Sequence, residues 1–427
     1  MQVKTQMNIC KRFKCNTCGT SIDCRIGMSN RDVQPFQFAC PLCEERISFA
    51  FGMQSSELLG ASEIEDFEGV FNGANPFIDL HLDFPAYFGE YKLGMTTFLR
   101  VTREIGQASY QHLNHRLTML NILYPLGKEL RSSITQYKRG DLKSFAKTCV
   151  KIPGVDLKSK KQQDVLAAIY TVTSVMSSPF TIHEHNSEIS EKSSDIFMWL
   201  HHQYKNKTIE FVDKVLGNGF LKNLHGDCLS LYPKLVSMDL PFRPAFFYDY
   251  ANVEQLGQIP ARLSTADFDT CSNFYKDLSE VFARQLTFLA GVNNLIKRGD
   301  SDLFDPALKF TRAKKASPEL ESLNAFANVD LGSKLAFIDN CFYNIDMDSV
   351  DNKLRNGIAH YKYEYKESTQ IVTYYPNKEG MSREKYHEIS FMGFIRKSLL
   401  LFREVHGINH IMKAAFFYCT LVLKREI

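Results

Sequence analysis

The sequence predicts a mainly α-helical protein with a small, β-rich, metal-binding module at its N-terminus, and three observations predict it. Apolar residues recur at helical spacing through long segments, as in Leu113, Leu117, Leu120 and Leu123, and again in Val165, Ala168, Ile169 and Val172. Six of the eleven cysteines fall in the first fifty residues, among turn-prone dipeptides such as Cys18-Gly19 and Cys40-Pro41. One late segment, Tyr361 to Tyr375, alternates with period two around a polar centre and reads as a β-hairpin. A length of 427 residues with 44% hydrophobic and 12% aromatic content supports two or three domains with real cores. The expected parts are a zinc ribbon over 1–50, a helical middle region over 51–262 and a helical domain with the hairpin over 263–427.

The N-terminal module is specified by Cys15-x2-Cys18 and Cys40-x2-Cys43, with twenty-one residues between the pairs. Each pair on a tight turn places two thiolates on one metal at about 2.3 Å, and four thiolates close the coordination sphere, so the zinc is structural. A short segment with little core then draws its folding energy from the metal. The alternative is four unliganded, reduced thiols. Cys10 and Cys24 fall outside the pairs, although Cys10 is able to replace a ligand. Lys11, Arg12, Lys14, Arg25 and Arg31 flank the module and permit nucleic-acid contact.

The middle region opens with an acidic stretch containing Glu57, Glu63, Glu65, Asp66 and Glu68. Residues 128–161 then hold ten cations against three acids: Lys128, Arg131, Lys138, Arg139, Lys143, Lys147, Lys151, Lys158, Lys160 and Lys161. Either this is an RNA track or it is the solvated face of surface helices, and the small overall charge of +3 does not choose. Ile152-Pro153-Gly154, Ser178-Pro179 and the prolines Pro241, Pro244 and Pro260 punctuate the region and put a boundary near 260.

Beyond it, Phe274, Leu278, Val281, Phe282, Leu289, Val292 and Ile296 predict one long amphipathic helix ending at Gly299. A second helix is expected over 319–344, interrupted or capped around Asn328 to Gly332. A third carries Arg-Asn-Gly-Ile-Ala-His at 355–360, and two more are expected at 388–405 and 408–424.

That six-residue run carries the most chemistry. Asn356 and His360 are four apart and share a helical face, with Arg355 at its flank, and Gly357 and Ala359 keep the surface low for a phosphate or a partner helix. Histidine, with an ordinary pKa of about 6.5, takes a proton from a ribose 2′-hydroxyl and returns one to the leaving 5′-oxygen. Arginine suits the added charge of a phosphorane transition state. In isolation, an Arg and a His on one helix also fit a surface or capping role.

The context resembles the HEPN family (higher eukaryotes and prokaryotes nucleotide-binding) over about residues 265–427: helices before the motif, a hairpin directly after it and closing helices. Its nuclease members carry Arg, a polar residue, three to five further residues and then His, which Arg355, Asn356 and His360 match. The resemblance implies a metal-independent endoribonuclease whose two Arg/His sets meet across a homodimer. It also implies an acid on an earlier helix that orients the arginine, for which Asp277, Glu280, Asp339 and Asp351 are candidates. Lys362 stands where members silenced by adenylylation often carry tyrosine, so that mode of control is not expected. Tyr361, Tyr363, Tyr365, Tyr374 and Tyr375 either stack on unpaired bases or pack across the hairpin strands.

Other motifs are set aside. His112-x2-His115, His183-x-His185 and His201-His202 lack a partnered acid or cysteine, and read as surface or capping residues. Cys149, Cys228, Cys271, Cys341 and Cys419 read as core. Neither a phosphate-binding G-x4-G-K-S/T loop nor a G-x-G-x-x-G is present, which argues against an NTPase or dinucleotide enzyme. The absence of a signal-like N-terminus and of a spanning apolar run leads to an expectation of a cytoplasmic protein without membrane contact. Chains that join such nucleases to sensing modules resemble abortive-infection and toxin effectors acting on RNA, with a phage or host protein as trigger. The rivals are a non-catalytic RNA or nucleotide binder and a zinc-ribbon adaptor.

Overall fold

The computed structural model describes residues 8–52, 57–64, 71–181, 183–252, 261–307, 311–312, 315–316, 320–375 and 385–426. Glu65, Asp66, Glu68, Pro260 and the side chains of His183 and His185 lie outside the described residues. The chain is mainly helical, with small sheets at its N-terminus. It forms two compact units: Met1–Pro125 with Ser237–Asn273 and Asn356–Leu399, and Leu126–Val236 with Phe274–Arg355 and Leu400–Ile427. The expected divisions at 50 and 262 are not where these units divide.

In the first unit, β1 (Asn8–Cys15) and β2 (Ser21–Gly27) form an antiparallel hairpin, as do β3 (Val33–Ala39) and β4 (Arg46–Gly52). The sheet does not stop at residue 50. β5 (Ala61–Glu63) pairs with β1, β6 (Phe77–His81) runs parallel to β2, and β7 (Tyr87–Gly89) closes the order β5-β1-β2-β6-β7. Alternate residues supply the core: Phe13, Ile22, Ile26, Phe36, Ile47, Ile78 and Leu80 are buried together. The other face of β6 is buried too, and carries Asp79, which is met by the guanidiniums of Arg25 and Arg100 at 2.8 and 3.0 Å. α1 (Thr97–Leu123) follows and changes direction at Gly106, whose φ of 76° no helix accepts.

The second unit holds α2 (Gly127–Lys138), α3 (Leu142–Cys149), α4 (Gln162–Ser177), α5 (His183–Gly217) and α6 (Phe220–Ser237). α7 (Asp239–Ala245) belongs to the first unit. The long helix expected before Gly299 is α8 (Phe268–Arg298), and Gly299 takes the positive φ, 72°, that ends it. A two-residue pair, β8 (Thr311–Arg312) and β9 (Lys315–Ala316), precedes the region expected as a helix over 319–344 interrupted or capped around Asn328 to Gly332, and the break falls there. That region forms two short helices, α9 (Leu323–Ala327) and α10 (Leu331–Ala336), because Ser322 and Asp330 each start a helix by accepting an amide three residues on.

α11 (Asn352–Ala359) carries the Arg-Asn-Gly-Ile-Ala-His run. The expected hairpin is β10 (Tyr363–Lys366) and β11 (Ile371–Tyr374), and β12 (His387–Ser390) adds a third strand to β11. The two helices expected at 388–405 and 408–424 are one, α12 (Phe391–Phe417). Gly407 does not break it. The glycine leaves room for the Tyr343 ring, which a Cβ at that position would strike.

Candidate functional site

Two places bring chemistry-bearing side chains together as the sequence predicts. The first is the cysteine cluster, which two matching loops build. The Cys15 amide donates to the Thr20 carbonyl at 2.9 Å and the Gly19 amide to the Cys15 carbonyl at 2.9 Å. The second loop repeats this, with the Cys40 amide on the Glu45 carbonyl at 2.8 Å and the Glu44 amide on the Cys40 carbonyl at 3.0 Å. In both, the residue after the second cysteine is left-handed, Gly19 at φ 74° and Glu44 at φ 65°. Glycine bears this freely, whereas Glu44 carries a strain of about 1 kcal/mol. The Ser368 hydroxyl, on the β10–β11 turn, donates to the Glu44 carboxylate at 2.5 Å.

All four sulfurs, of Cys15, Cys18, Cys40 and Cys43, lie within 4.8 Å of one another. Cys15 and Cys43 are 3.6 Å apart, and Cys18 and Cys40 are 3.7 Å apart. A tetrahedral metal with sulfur at about 2.3 Å has S–S edges of about 3.8 Å, so the donors fit one ion. The Thr20 hydroxyl and amide bring the Cys18 thiol down to about 6. At Cys43 the Glu45 amide pulls the same way, but burial and the other three sulfurs outweigh it and push the thiol up to about 12. A metal ion held among the four sulfurs would favour their thiolate forms. Cys10 is exposed and Cys24 buried in the sheet, both outside the cluster.

The second place is α11. Its start is fixed by Asp351, whose carboxylate accepts the Leu354 amide at 2.9 Å. It ends in a two-bond turn: the Lys362 amide reaches the Gly357 carbonyl at 2.8 Å and the Tyr361 amide the Ile358 carbonyl at 3.3 Å, with Tyr361 left-handed at φ 56°. Leu354, Gly357 and Ile358 face inward, Arg355 is half-buried, and Asn356 and His360 are exposed. The shared face of Asn356 and His360 is therefore open to solvent.

Of the four acids expected to orient the arginine, Glu280 on α8 is one whose carboxylate pairs with the Arg355 guanidinium. Asp277 is taken by Lys234 at 2.5 Å, Asp339 by Arg298 at 2.7 Å, and Asp351 caps the helix. At this exposure the pair adds at most about 1 kcal/mol of stability, so its consequence is the direction of the guanidinium. Gly357 has a different role from the expected one. It does not clear the exposed face; it lies against β11, where an added Cβ would come within 3.0 Å of the Tyr374 Cβ.

The hairpin tyrosines mostly pack. Tyr365 stacks on Phe268 with centroids 4.9 Å apart, Tyr363 meets the same ring at 5.3 Å, and Tyr374 lies on His387 at 5.6 Å. Tyr361 alone of the five is largely exposed, at 77%. His112 binds the Tyr250 hydroxyl at 2.8 Å and His201 the Tyr418 hydroxyl at 2.7 Å, consistent with ordinary structural histidines. Cys149, Cys228, Cys271 and Cys419 are buried, and Cys341 is half-buried.

One polar cluster was missed. In the second unit His406 Nδ1 lies 2.8 Å from the Tyr232 hydroxyl, and its Nε2 lies 3.2 Å from that of His410 and 3.4 Å from the Ser177 hydroxyl. The signal was present as His-x3-His at helical spacing. Burial holds both imidazoles neutral, with His410 pulled down to about 4.

Compared with known proteins, the chain matches no family, no curated protein and no solved structure. No described helix is long and apolar enough to cross a membrane.

Proposed function

We propose that the chain is a metal-independent endoribonuclease of HEPN type, with Arg355, Asn356 and His360 as its catalytic half-site and a structural Zn2+ on Cys15, Cys18, Cys40 and Cys43. The observation that carries this reading is the Glu280–Arg355 pair beside an exposed Asn356/His360 face on one capped helix. An acid on an earlier helix that contacts the arginine is what the resemblance implies.

In the proposed reaction the ribose 2′-oxygen attacks the adjacent phosphorus while an imidazole takes its proton. The bond to the 5′-oxygen breaks as a second imidazole, protonated, supplies a proton to that leaving group. Products are a 2′,3′-cyclic phosphate and a 5′-hydroxyl, with no redox change and no co-reactant. Arg355 neutralises the charge that grows on the phosphoryl oxygens, and the Asn356 amide hydrogen-bonds to one of them. Each chain offers one motif histidine, so a homodimer is the form that supplies both. Zinc draws its four thiolates from both hairpins and contributes folding energy, not chemistry.

On this reading the chain acts as an RNA-cleaving toxin or antiphage effector, with a phage or host protein as trigger and the cytoplasm, where the RNA is, as its compartment. Purified protein in buffer without added divalent cations is expected to degrade single-stranded RNA, and the H360A variant is not. Equal degradation by both, or RNA affinity without products, would replace this reading with that of a non-catalytic binder. Absence of both affinity and products would leave the adaptor.

A further inference from the structure

In the second unit the ten cations of residues 128–161 are all exposed: Lys128, Arg131 and Lys138 on α2, Arg139 at its C-terminal cap, Lys143 and Lys147 on α3, Lys151 just after it, and Lys158, Lys160 and Lys161 in the loop before α4. α2 packs against both α3 and α4, which keeps these segments adjacent. Among the described residues none of them forms an ion pair, and Lys138 has a hydroxyl partner only, Ser230 at 2.6 Å. The rest of the chain is net acidic, since these ten cations face three acids while the whole carries +3.

Ordinary stability explains part of the arrangement, since Lys138, Arg139 and Lys147 lie at the C-terminal ends of α2 and α3, where the helix dipole favours cations; the rest is different. On α2, Lys128, Arg131 and Arg139 lie along one stripe opposite Leu130 and Ile134, and on α3 Lys143 and Lys147 lie opposite the buried Phe145 and Cys149. Lys158, Lys160 and Lys161 gather before the N-terminus of α4, the end where the helix dipole is positive and disfavours cations. Lys161 occupies the capping position itself and gives no side-chain cap. Like charges held together at some cost fit a surface that meets an anion.

We propose that this face of α2, α3 and the α4 entry loop binds the phosphate backbone of single-stranded RNA, the substrate of the α11 site, so the inference rests on the ribonuclease reading. A membrane is a poorer fit because the apolar faces of both helices are buried in their own unit. An acidic protein would need an apolar anchor, and the only large exposed apolar residue within 128–161 is Val150.

The test uses the full chain carrying H360A, so that binding is read without cleavage. Its affinity for a labelled 30-nucleotide single-stranded RNA is followed by anisotropy from about 50 to 300 mM KCl. Changing Lys143, Lys147 and Lys151 together to Gln is expected to reduce the slope of log K against log salt by about 2, at about 0.7 per lost phosphate contact. A control change of the exposed Lys192, Lys205 and Lys222 to Gln leaves the slope unchanged. Equal slopes in the two triples would overturn the proposal, as would binding to phosphatidylserine vesicles that RNA does not displace. Cleavage by the wild-type chain is scored separately: RNA cut with an unaltered slope removes this surface but not the nuclease, and RNA bound through it but never cut removes the nuclease.

Discussion

The two units bury polar groups in opposite ways. The first buries charge in pairs: Asp79 with Arg25 and Arg100, Asp83 with Arg243 at 2.6 Å, and Asp249 with Arg116 at 2.7 Å. The second relies on neutral partners, with His406 between Tyr232, Ser177 and His410, the Gln285 amide on the Val405 carbonyl at 2.9 Å, and the buried Lys334 held by the Ala283 carbonyl and the Thr287 hydroxyl. Its ion pairs, such as Lys214–Asp302 and Lys234–Asp277, are at the surface. Paired charges are unforgiving, since losing one partner strands the other in low dielectric, whereas a neutral network loses one hydrogen bond at a time.

The largest expected effect lies in the first unit. A metal held by the four cysteines would couple the two hairpins with on the order of 10 kcal/mol of binding energy, and chelation or Cys40→Ser is expected to remove that coupling. Hydrogen exchange is expected to show β1 to β4 opening while α6 and the C-terminal half of α12 stay protected. Next comes Asp79→Asn, which strands Arg25 and Arg100 and is expected to cost about 3–5 kcal/mol in denaturant unfolding. In the second unit Tyr232→Phe removes a partner of His406 and Asn409 and is expected to cost about 1–3 kcal/mol. If the second change cost as much as the first, the contrast between charged and neutral interiors would fail.

Acid acts on buried imidazoles in both units. Burial lowers His406 and His410 in the second, His410 to about 4, and lowers His81 on β6 in the first, so the contribution of each is complete above about 6.5 and fades as pH falls toward its folded value. Glu404 on α12 runs the other way: burial pushes its carboxyl up to about 7, so protonation below that pH relieves a cost. Between pH 7.5 and 5.5, exchange protection is expected to fall in β6, and in α12 beyond residue 400 it is expected to fall further in Glu404→Gln than in the unaltered chain. Equal loss in the two proteins would mean that Glu404 does not protonate in this range.

Smaller still, Gly357→Ala presses a methyl group on the Tyr374 Cβ and is expected to cost about 1–3 kcal/mol, read by thermal melting. Glu280→Gln is expected to change stability by less than about 1 kcal/mol, while lowering RNA cleavage more than tenfold by freeing Arg355. Loss of stability without loss of cleavage would make the pair a surface contact only.

What was legible in the sequence was what short spacing encodes. Cys-x2-Cys pairs, the periodicity of α8 and the alternation of β10 and β11 are each contained within a few residues, and each formed as expected. Glu280 was not separable from Asp277, Asp339 and Asp351, because its pairing with Arg355 spans 75 residues in sequence. The parallel pairing of β2 with β6 escaped for the same reason, although Ile78, Leu80 and Leu82 alternate with Asp79, His81 and Asp83 in plain view. Gly357 reads as a clearing on the exposed face, and it is a site where another part of the chain comes close, as Gly407 is too.

The most direct test of the ribonuclease reading replaces the attacking group. An RNA cut by the wild-type chain without added divalent cations is mapped, and the ribose 5′ to each cut is then made 2′-deoxy. The account predicts 2′,3′-cyclic phosphate ends on the original RNA and no cleavage at the deoxy positions. Continued cleavage there, or 3′-hydroxyl ends, would contradict a mechanism in which His360 activates the 2′-oxygen.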